Sequence, residues 1–363
     1  FFNPATRMKL VEVVHGLASN PDVVDTDFAT SEAWGKKTVR VRSTTGFIVN
    51  RVARPFYAEA LRALGEGAAN VATIDAIMKE AGGFRMGPFE LMDLIGQDVN
   101  AAVSQTVFNA FHQDTRFEPS LIQQELVAAG RLGRKSGRGF YDYSEGALAP
   151  APATAEVAAS PDQLTVYGDL EVMEPLLGMA GDAGIAIRLE AAPFPGPGWL
   201  RVGNANLALS DGRSATQRTR QGLENLVLVD LALDYRTAQR LAIAPSDQCD
   251  SDAVAAVVGF FQALGKAVSV IDDYPGMLVL RTVGMLANVG ADAVHQGVCR
   301  ADAVDTAMRY GVNYPQGPLA WAESIGLTRV VELLDHIARE YGEERYRVSP
   351  LMRRKVWGET GFF

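Results

Sequence analysis

Gly46-Phe47-Ile48-Val49-Asn50-Arg51 opens an apolar segment on a glycine and sets an amide where a core would take a hydrocarbon. The segment recurs. Moving residues 35–96 by 230 lays them on 265–326 without a gap, with 13 identities in 62 positions. Gly46/Gly276, Arg51/Arg281, Gly67/Gly297, Asp75/Asp305, Gly87/Gly317 and Pro88/Pro318 coincide, and Leu280 stands at the place of Asn50. These are mostly Gly, Pro and charged residues, which fix turns and helix ends. The same offset aligns Leu121 with Leu351, and Gly139-Phe140 returns as Gly361-Phe362 after a deletion of eight residues. Solenoid repeats run to about 20–50 residues, so this longer period marks a duplicated domain. Apolar residues at three- and four-residue spacing predict a helix from Phe47 to Leu64, stopped at Gly65-Glu66-Gly67. Val71 to Ala81 and Pro88 to Ile95 give two more.

Upstream, Lys9 to Val14 is an aliphatic strand around Glu12, Asn20-Pro21-Asp22 starts a helix, and Thr38 to Val41 is a short β-branched strand. Residues 1–43 therefore read as a residual βαβ unit of a doubly wound domain. Residues 44–143 form the first helical domain, and the Ala/Pro/Ser/Glu-rich 144–163 reads as a linker. Short aliphatic runs at Leu164–Tyr167, Ile185–Leu189, Leu226–Val229, Leu241–Ala244 and Val268–Ile271 make 164–273 a second α/β unit, and 274–363 is the second helical copy. The expected fold class is mixed: a residual βαβ, two duplicated all-α domains and an intervening reduced Rossmann-like α/β domain.

With 48% hydrophobic and 21% charged residues, the composition is that of a globular chain large enough for more than one core. A net charge of -9 argues against nucleic acid as a partner. No apolar run reaches the length of a membrane span, and Cys249, Cys299 and four scattered histidines offer neither disulfides nor metal spacing. Cytoplasm is the simplest compartment.

Four stretches in order carry a resemblance: Phe1-Phe2-Asn3-Pro4 with Met8-Lys9-Leu10-Val11-Glu12, then Gly46 to Arg51, then Gly87-Pro88-Phe89-Glu90-Leu91, then Gly133-Arg134-Lys135-Ser136-Gly137-Arg138-Gly139-Phe140-Tyr141. Together they resemble the 3-hydroxyacyl-CoA dehydrogenase family, in the long bacterial form that includes 3-hydroxybutyryl-CoA and phenylacetate-pathway enzymes. The likeness covers 1–143 closely and 276–363 more faintly. It implies NAD-dependent oxidation of a (3S)-3-hydroxyacyl-CoA to the 3-oxoacyl-CoA. A general base takes the proton of the 3-hydroxyl while C3 gives hydride to NAD, a task that suits a His held by a carboxylate. The family's His immediately precedes Phe-Phe-Asn-Pro, which would place it just before Phe1. Glu12 matches the orienting glutamate and Asn50 the active-site Asn. Asn3 and Lys135 match positions that contact cofactor or CoA.

Plainer readings stand beside these. Taken in isolation, Glu12 reads as a strand carboxylate facing solvent or Lys9, Asn50 as a helix N-terminal amide bonding backbone, and Lys135 as one of a solvated cluster with Arg131, Arg134 and Arg138. Glu90 and Asp93 are read as structural. The fingerprint G-x-G-x-x-G is nowhere present, since Gly196-Pro197-Gly198 is Pro-interrupted and Gly65-Glu66-Gly67 follows a helix. The resemblance thus places the NAD cradle, an active-site Ser and the catalytic His upstream of Phe1, and the chain alone is expected to be inactive. An acyl-CoA is the implied partner, with either a homodimer or an intramolecular pseudo-dimer of the two helical domains. Two rivals remain: a non-catalytic acyl-CoA-binding and dimerisation module, and another two-domain dehydrogenase of β-hydroxy acids.

Overall fold

The computed structural model describes residues 1–2 and 4–363. In chain order β1 (Leu10–His15), α1 (Pro21–Ala33) and β2 (Lys37–Arg42) precede α2 (Val49–Val52), α3 (Arg54–Gly65), α4 (Val71–Glu80), α5 (Pro88–Ile95), α6 (Gln97–Ala110) and α7 (Leu121–Ala128). Next come β3 (Gln163–Tyr167), α8 (Pro175–Asp182), β4 (Ala186–Glu190), β5 (Trp199–Val202), β6 (Ala205–Leu209), α9 (Ala215–Thr219) and β7 (Leu226–Val229). They are followed by β8 (Arg240–Pro245), α10 (Ser251–Ala263) and β9 (Ala267–Val270). The chain ends on α11 (Val279–His295), α12 (Ala301–Gly311), α13 (Pro318–Ile325), α14 (Leu327–Tyr341) and α15 (Pro350–Trp357). No helix among the described residues is long and apolar enough to cross a membrane.

The helix expected over 47–64 is broken between α2 and α3. Pro55 lacks the N–H that would bond Arg51, one turn back, and its ring crowds that turn. Met285 occupies the matching place in the second copy, where α11 runs unbroken.

The chain divides into two compact units. One comprises residues 1–61, 92–143 and 282–363. In it β1 and β2 pair in parallel from Leu10↔Lys37 to His15↔Arg42, joined by α1, whose Asn20 side chain accepts from the Asp22 amide. Gly311 on α12 lets this layer close up: a Cβ there would lie 2.6 Å from Leu10 and 2.9 Å from Val49. Asp93 is buried and accepts from the Phe140 and Tyr141 amides and the Tyr143 hydroxyl, so it pins the glycine-rich stretch after α7. Glu323, its counterpart, accepts from the Phe362 amide, which explains why Gly-Phe recurs. The 3₁₀ turns Thr115–Phe117 and Glu344–Tyr346 exchange arginines between copies. Arg116 pairs with Asp292 on α11, and Arg345 pairs with Glu59 on α3 at 3.1 Å.

The other unit comprises residues 62–91 and 144–281. Its seven strands lie in the order β4-β3-β5-β6-β7-β8-β9. The pairs β3/β4, β6/β7 and β8/β9 are parallel, and β3/β5, β5/β6 and β7/β8 antiparallel. The hairpin β5–β6 was not legible as strands, because Arg201 and Asn206 interrupt its two short apolar runs and it turns on Gly203-Asn204. Residues 144–162 form neither helix nor strand but are tied down. Ala153 N donates to Thr73 Oγ1, Ala155 N to Val268 O, and the Gln262 side chain bonds Ala158 N and Glu156 O. Asp75 accepts from the Phe89 and Glu90 amides at 2.9 Å, and Asp305 in the first unit accepts from Leu319 and Ala320 at the same distances.

The repeat reaches further back than the identities do. The register of β8/β9 begins at Arg240↔Ala267, each residue 230 beyond the Leu10↔Lys37 pair that opens β1/β2. The β-α-β unit and the helices after it were duplicated together.

Candidate functional site

The turn before α2 brings the two predicted catalytic residues together. Gly46 (φ 79°) and Phe47 (φ 46°) curl the chain so that the Ile48 and Val49 amides point back at β1. Both donate to Glu12 Oε1, at 2.9 and 3.1 Å. Glu12 thus satisfies helix N-terminal donors that would otherwise be orphaned, and it lies beside the residue preceding Asn50. Neither plain reading, solvent or Lys9, describes it. Burial pushes its carboxyl pKa up, while the two amides oppose that rise. Among the described residues nothing donates to its second oxygen, Oε2, which leaves those lone pairs for another group.

Asn50 is exposed and its amide bonds no described residue, so it is not a helix cap. Only its backbone carbonyl is engaged, by Arg54 Nε at 2.9 Å. The side chain borders a cavity of about 390 Å³ walled by Thr45, Gly46 and the α6 residues Val99, Ala102, Val103, Thr106 and Val107. An amide on an apolar wall suits the polar centre of a substrate whose tail is hydrocarbon. Arg51, kept in both copies, is structural: it is 2% exposed, bonds Gln296 Oε1 and lies over the Phe111 ring.

The second copy serves as an internal control. Ala242 stands where Glu12 does, yet the amides of Leu278, Val279 and Leu280 still find a carboxylate, that of Asp230 just after β7. Asp230 is 1% exposed and also accepts from Leu231 N, so both of its oxygens are taken. Capping this turn is a demand of the fold. The open oxygen of Glu12 is peculiar to the first copy.

Lys135 is paired with Asp98 at 2.5 Å and is half-exposed at the start of α6, next to the cavity residue Val99. Asn3 lies outside the described residues. Sequence reasoning missed Arg54 and Asp230. Arg54 had a signal in its spacing, one helical turn beyond Asn50 with Gly284 opposite it in the repeat. Asp230 had none, because its role comes from a strand outside the aligned register.

Comparison with known proteins agrees with this layout. The model described as "3-hydroxyacyl-CoA dehydrogenase, C-terminal domain" matches residues 46–143 and again 276–361. The "3-hydroxybutyryl-CoA dehydrogenase reduced Rossmann-fold domain" matches 207–275, and the family's "NAD binding domain" matches 1–44. Over all 363 residues the chain is 42% identical to 3-hydroxyadipyl-CoA dehydrogenase of Escherichia coli (strain K12), of which it spans 70%. It is 40% identical over 145 residues to a probable 3-hydroxybutyryl-CoA dehydrogenase of Bacillus subtilis, covering 40% of this chain and 50% of that one. The crystal structure of 3-hydroxybutyryl-CoA dehydrogenase from Escherichia coli K12 superposes with a TM-score of 0.86 at 42% identity, over 99% of this chain and 70% of that one. These matches support NAD as the cofactor. They give no support to the expected inactivity and do not favour the non-catalytic module. With three of the family's domain models matched in order and a 42% identical relative aligned along all 363 residues, the chain belongs to the 3-hydroxyacyl-CoA dehydrogenase family.

Proposed function

We propose that this chain serves the NAD-dependent oxidation of a (3S)-3-hydroxyacyl-CoA, with Glu12 and Asn50 at the reacting centre. The observation that carries the reading is the Glu12 carboxylate, fixed through Oε1 one residue from Asn50 while Oε2 stays open. That oxygen holds the imidazole of a histidine preceding Phe1. Phe1 lies near enough to Glu12 for the backbone to lead there. The imidazole takes the proton of the 3-hydroxyl, and Glu12 steadies the imidazolium that forms. Asn50 donates its amide hydrogens to the oxygen substituent as it gains carbonyl character. NAD, when bound, accepts the hydride from C3. The turn after β1, Gly16 to Asn20, is closed by Gly16 N donating to Ser19 Oγ and has no run of glycines to cradle a pyrophosphate. The described residues therefore do not form the phosphate cradle, and Lys135 and Asn3 remain proposed contacts to cofactor or CoA.

The test is NADH formation by the full-length protein from (3S)-3-hydroxybutyryl-CoA. Glu12→Gln should lower kcat by about 10²-fold and move the acid limb of kcat/KM to lower pH, since an imidazole without its anion is less basic. A wild-type protein inert toward 3-hydroxyacyl-CoA ends the reading.

We further infer that the two helical copies form a pseudo-dimer within one chain, with the domain limits read from the sequence. Arg116–Asp292 and Arg345–Glu59 support this, because the 3₁₀ turn of each copy reaches a long helix of the other. Sedimentation of the full-length protein should then show that no second chain meets these surfaces. Asp292→Ala and Glu59→Ala should destabilise the monomer without altering its mass. A mass change in either variant would sink the idea.

A further inference from the structure

Most arginines buried in this chain face a carboxylate: Arg116 faces Asp292, Arg218 faces Asp211, and Arg345 faces Glu59. Arg54 does not. It is 6% exposed, and no carboxylate among the described residues pairs with it. Nε donates to Asn50 O at 2.9 Å and Nη1 to Ser104 Oγ at 3.1 Å, while the guanidinium lies 4.8 Å from the Tyr57 ring centre. No described group accepts from Nη2. Burial pushes the pKa down, and only the phenols of Tyr57 and Tyr314 act on the charge. A buried cation lacking a counter-charge is costly, so its retention calls for an anion that arrives from outside the chain.

The duplication shows that the fold does not need this cation. At the matching places of the second copy Asn50, Arg54, Tyr57 and Ser104 become Leu280, Gly284, Ala287 and Leu334. The gap at Gly284 is filled by Leu333, whose Cδ2 would sit 2.6 Å from an added Cβ. The cation and its hydroxyl partner are present with the catalytic amide and absent without it. Ser104 lies on α6 between Val103 and Val107, which wall the Asn50 cavity, so the guanidinium is bonded to the helix that bounds that cavity without itself lining it. Residues one helical turn apart have Cβ atoms about 5–6 Å apart. Three C–C bonds carry a chain roughly 4 Å beyond C3.

We propose that Arg54 receives a carboxylate at the far end of the acyl chain, so that the site selects 3-hydroxyacyl-CoA substrates of the dicarboxylic class. This rests on the dehydrogenase reading above and adds the identity of the acyl terminus. The planar fork of the guanidinium suits a carboxylate, with Nη2 as the open donor.

The experiment compares kcat/KM for 3-hydroxyadipyl-CoA and 3-hydroxyhexanoyl-CoA, equal in chain length, in the full-length wild type, Arg54→Lys and Arg54→Met. The wild type should favour the carboxylate-ended substrate by about 10²-fold or more. Arg54→Met should lose about that factor on the adipyl substrate and less than about 3-fold on the hexanoyl one, with Arg54→Lys between. Equal losses on both substrates would make Arg54 a packing residue, and a wild type without preference would likewise overturn the proposal. Should Arg54→Met fail to fold, the wild-type preference and Arg54→Lys still decide. No NADH from either substrate in the wild type would instead sink the dehydrogenase reading.

Discussion

Asn50→Leu, which installs the residue that the second copy carries at 280, is expected to lower kcat of the full-length protein by about 10²–10³-fold. The loss is placed on kcat because the amide's bond strengthens as charge shifts onto the substrate oxygen, an interaction greater in the transition state than in the ground state. Stability should move by no more than about 0.5 kcal/mol. The Asn50 side chain is exposed and bonds nothing in the fold, so its removal orphans no buried group. Steady-state kinetics paired with a thermal melt makes the check. A kcat within about threefold of wild type would remove Asn50 from the chemistry, and a large fall in melting temperature would make it structural.

Asp230→Ala should be the most damaging single substitution to stability, at about 3–5 kcal/mol, the range for stripping a partner from a buried charged network. Its carboxylate takes the Leu231, Leu278, Val279 and Leu280 amides, in a place water does not reach. Hydrogen exchange at Leu278–Leu280 reads the effect directly, and unchanged protection would refute it. Burial raises the Asp230 pKa from 3.8 to about 6 against the pull of those amides. A folded-state value above the unfolded one means that the native state holds its proton longer. The group's stabilising contribution is thus complete below pH about 3.8 and is lost as pH rises through about 6. A carboxyl-carbon NMR titration should find that midpoint, whereas Glu12→Ala, with two amides near solvent, should cost less than Asp230→Ala.

The contrast between these two carboxylates shows how far the sequence could be read. Glu12 and Asn50 were found through flanking motifs, and the turn at Gly46 does join them. What Glu12 bonds was not legible, since neither Lys9 nor solvent is its partner and the amides it caps lie 36 and 37 residues away. Most strands of the sheet were visible as short aliphatic runs. The hairpin Trp199–Leu209 was not, because Arg201 and Asn206 break up its apolar residues into runs too short to mark a strand. The helix over 47–64 carried the right period, but the break before Pro55 depends on a missing hydrogen bond that periodicity does not register.

By itself the sequence determined the duplication, the helical copies and the family motifs, because turns and helix ends are set locally by Gly, Pro and capping residues whose spacing survives divergence. The tertiary structure decided which polar groups meet. It showed that Asp230 replaces Glu12 as a cap, that Arg116 and Arg345 cross between copies, and that Arg54 is buried without a counter-charge. Burial and electrostatic partnership arise from segments far apart in the chain, and no window of residues contains both halves of such a pair.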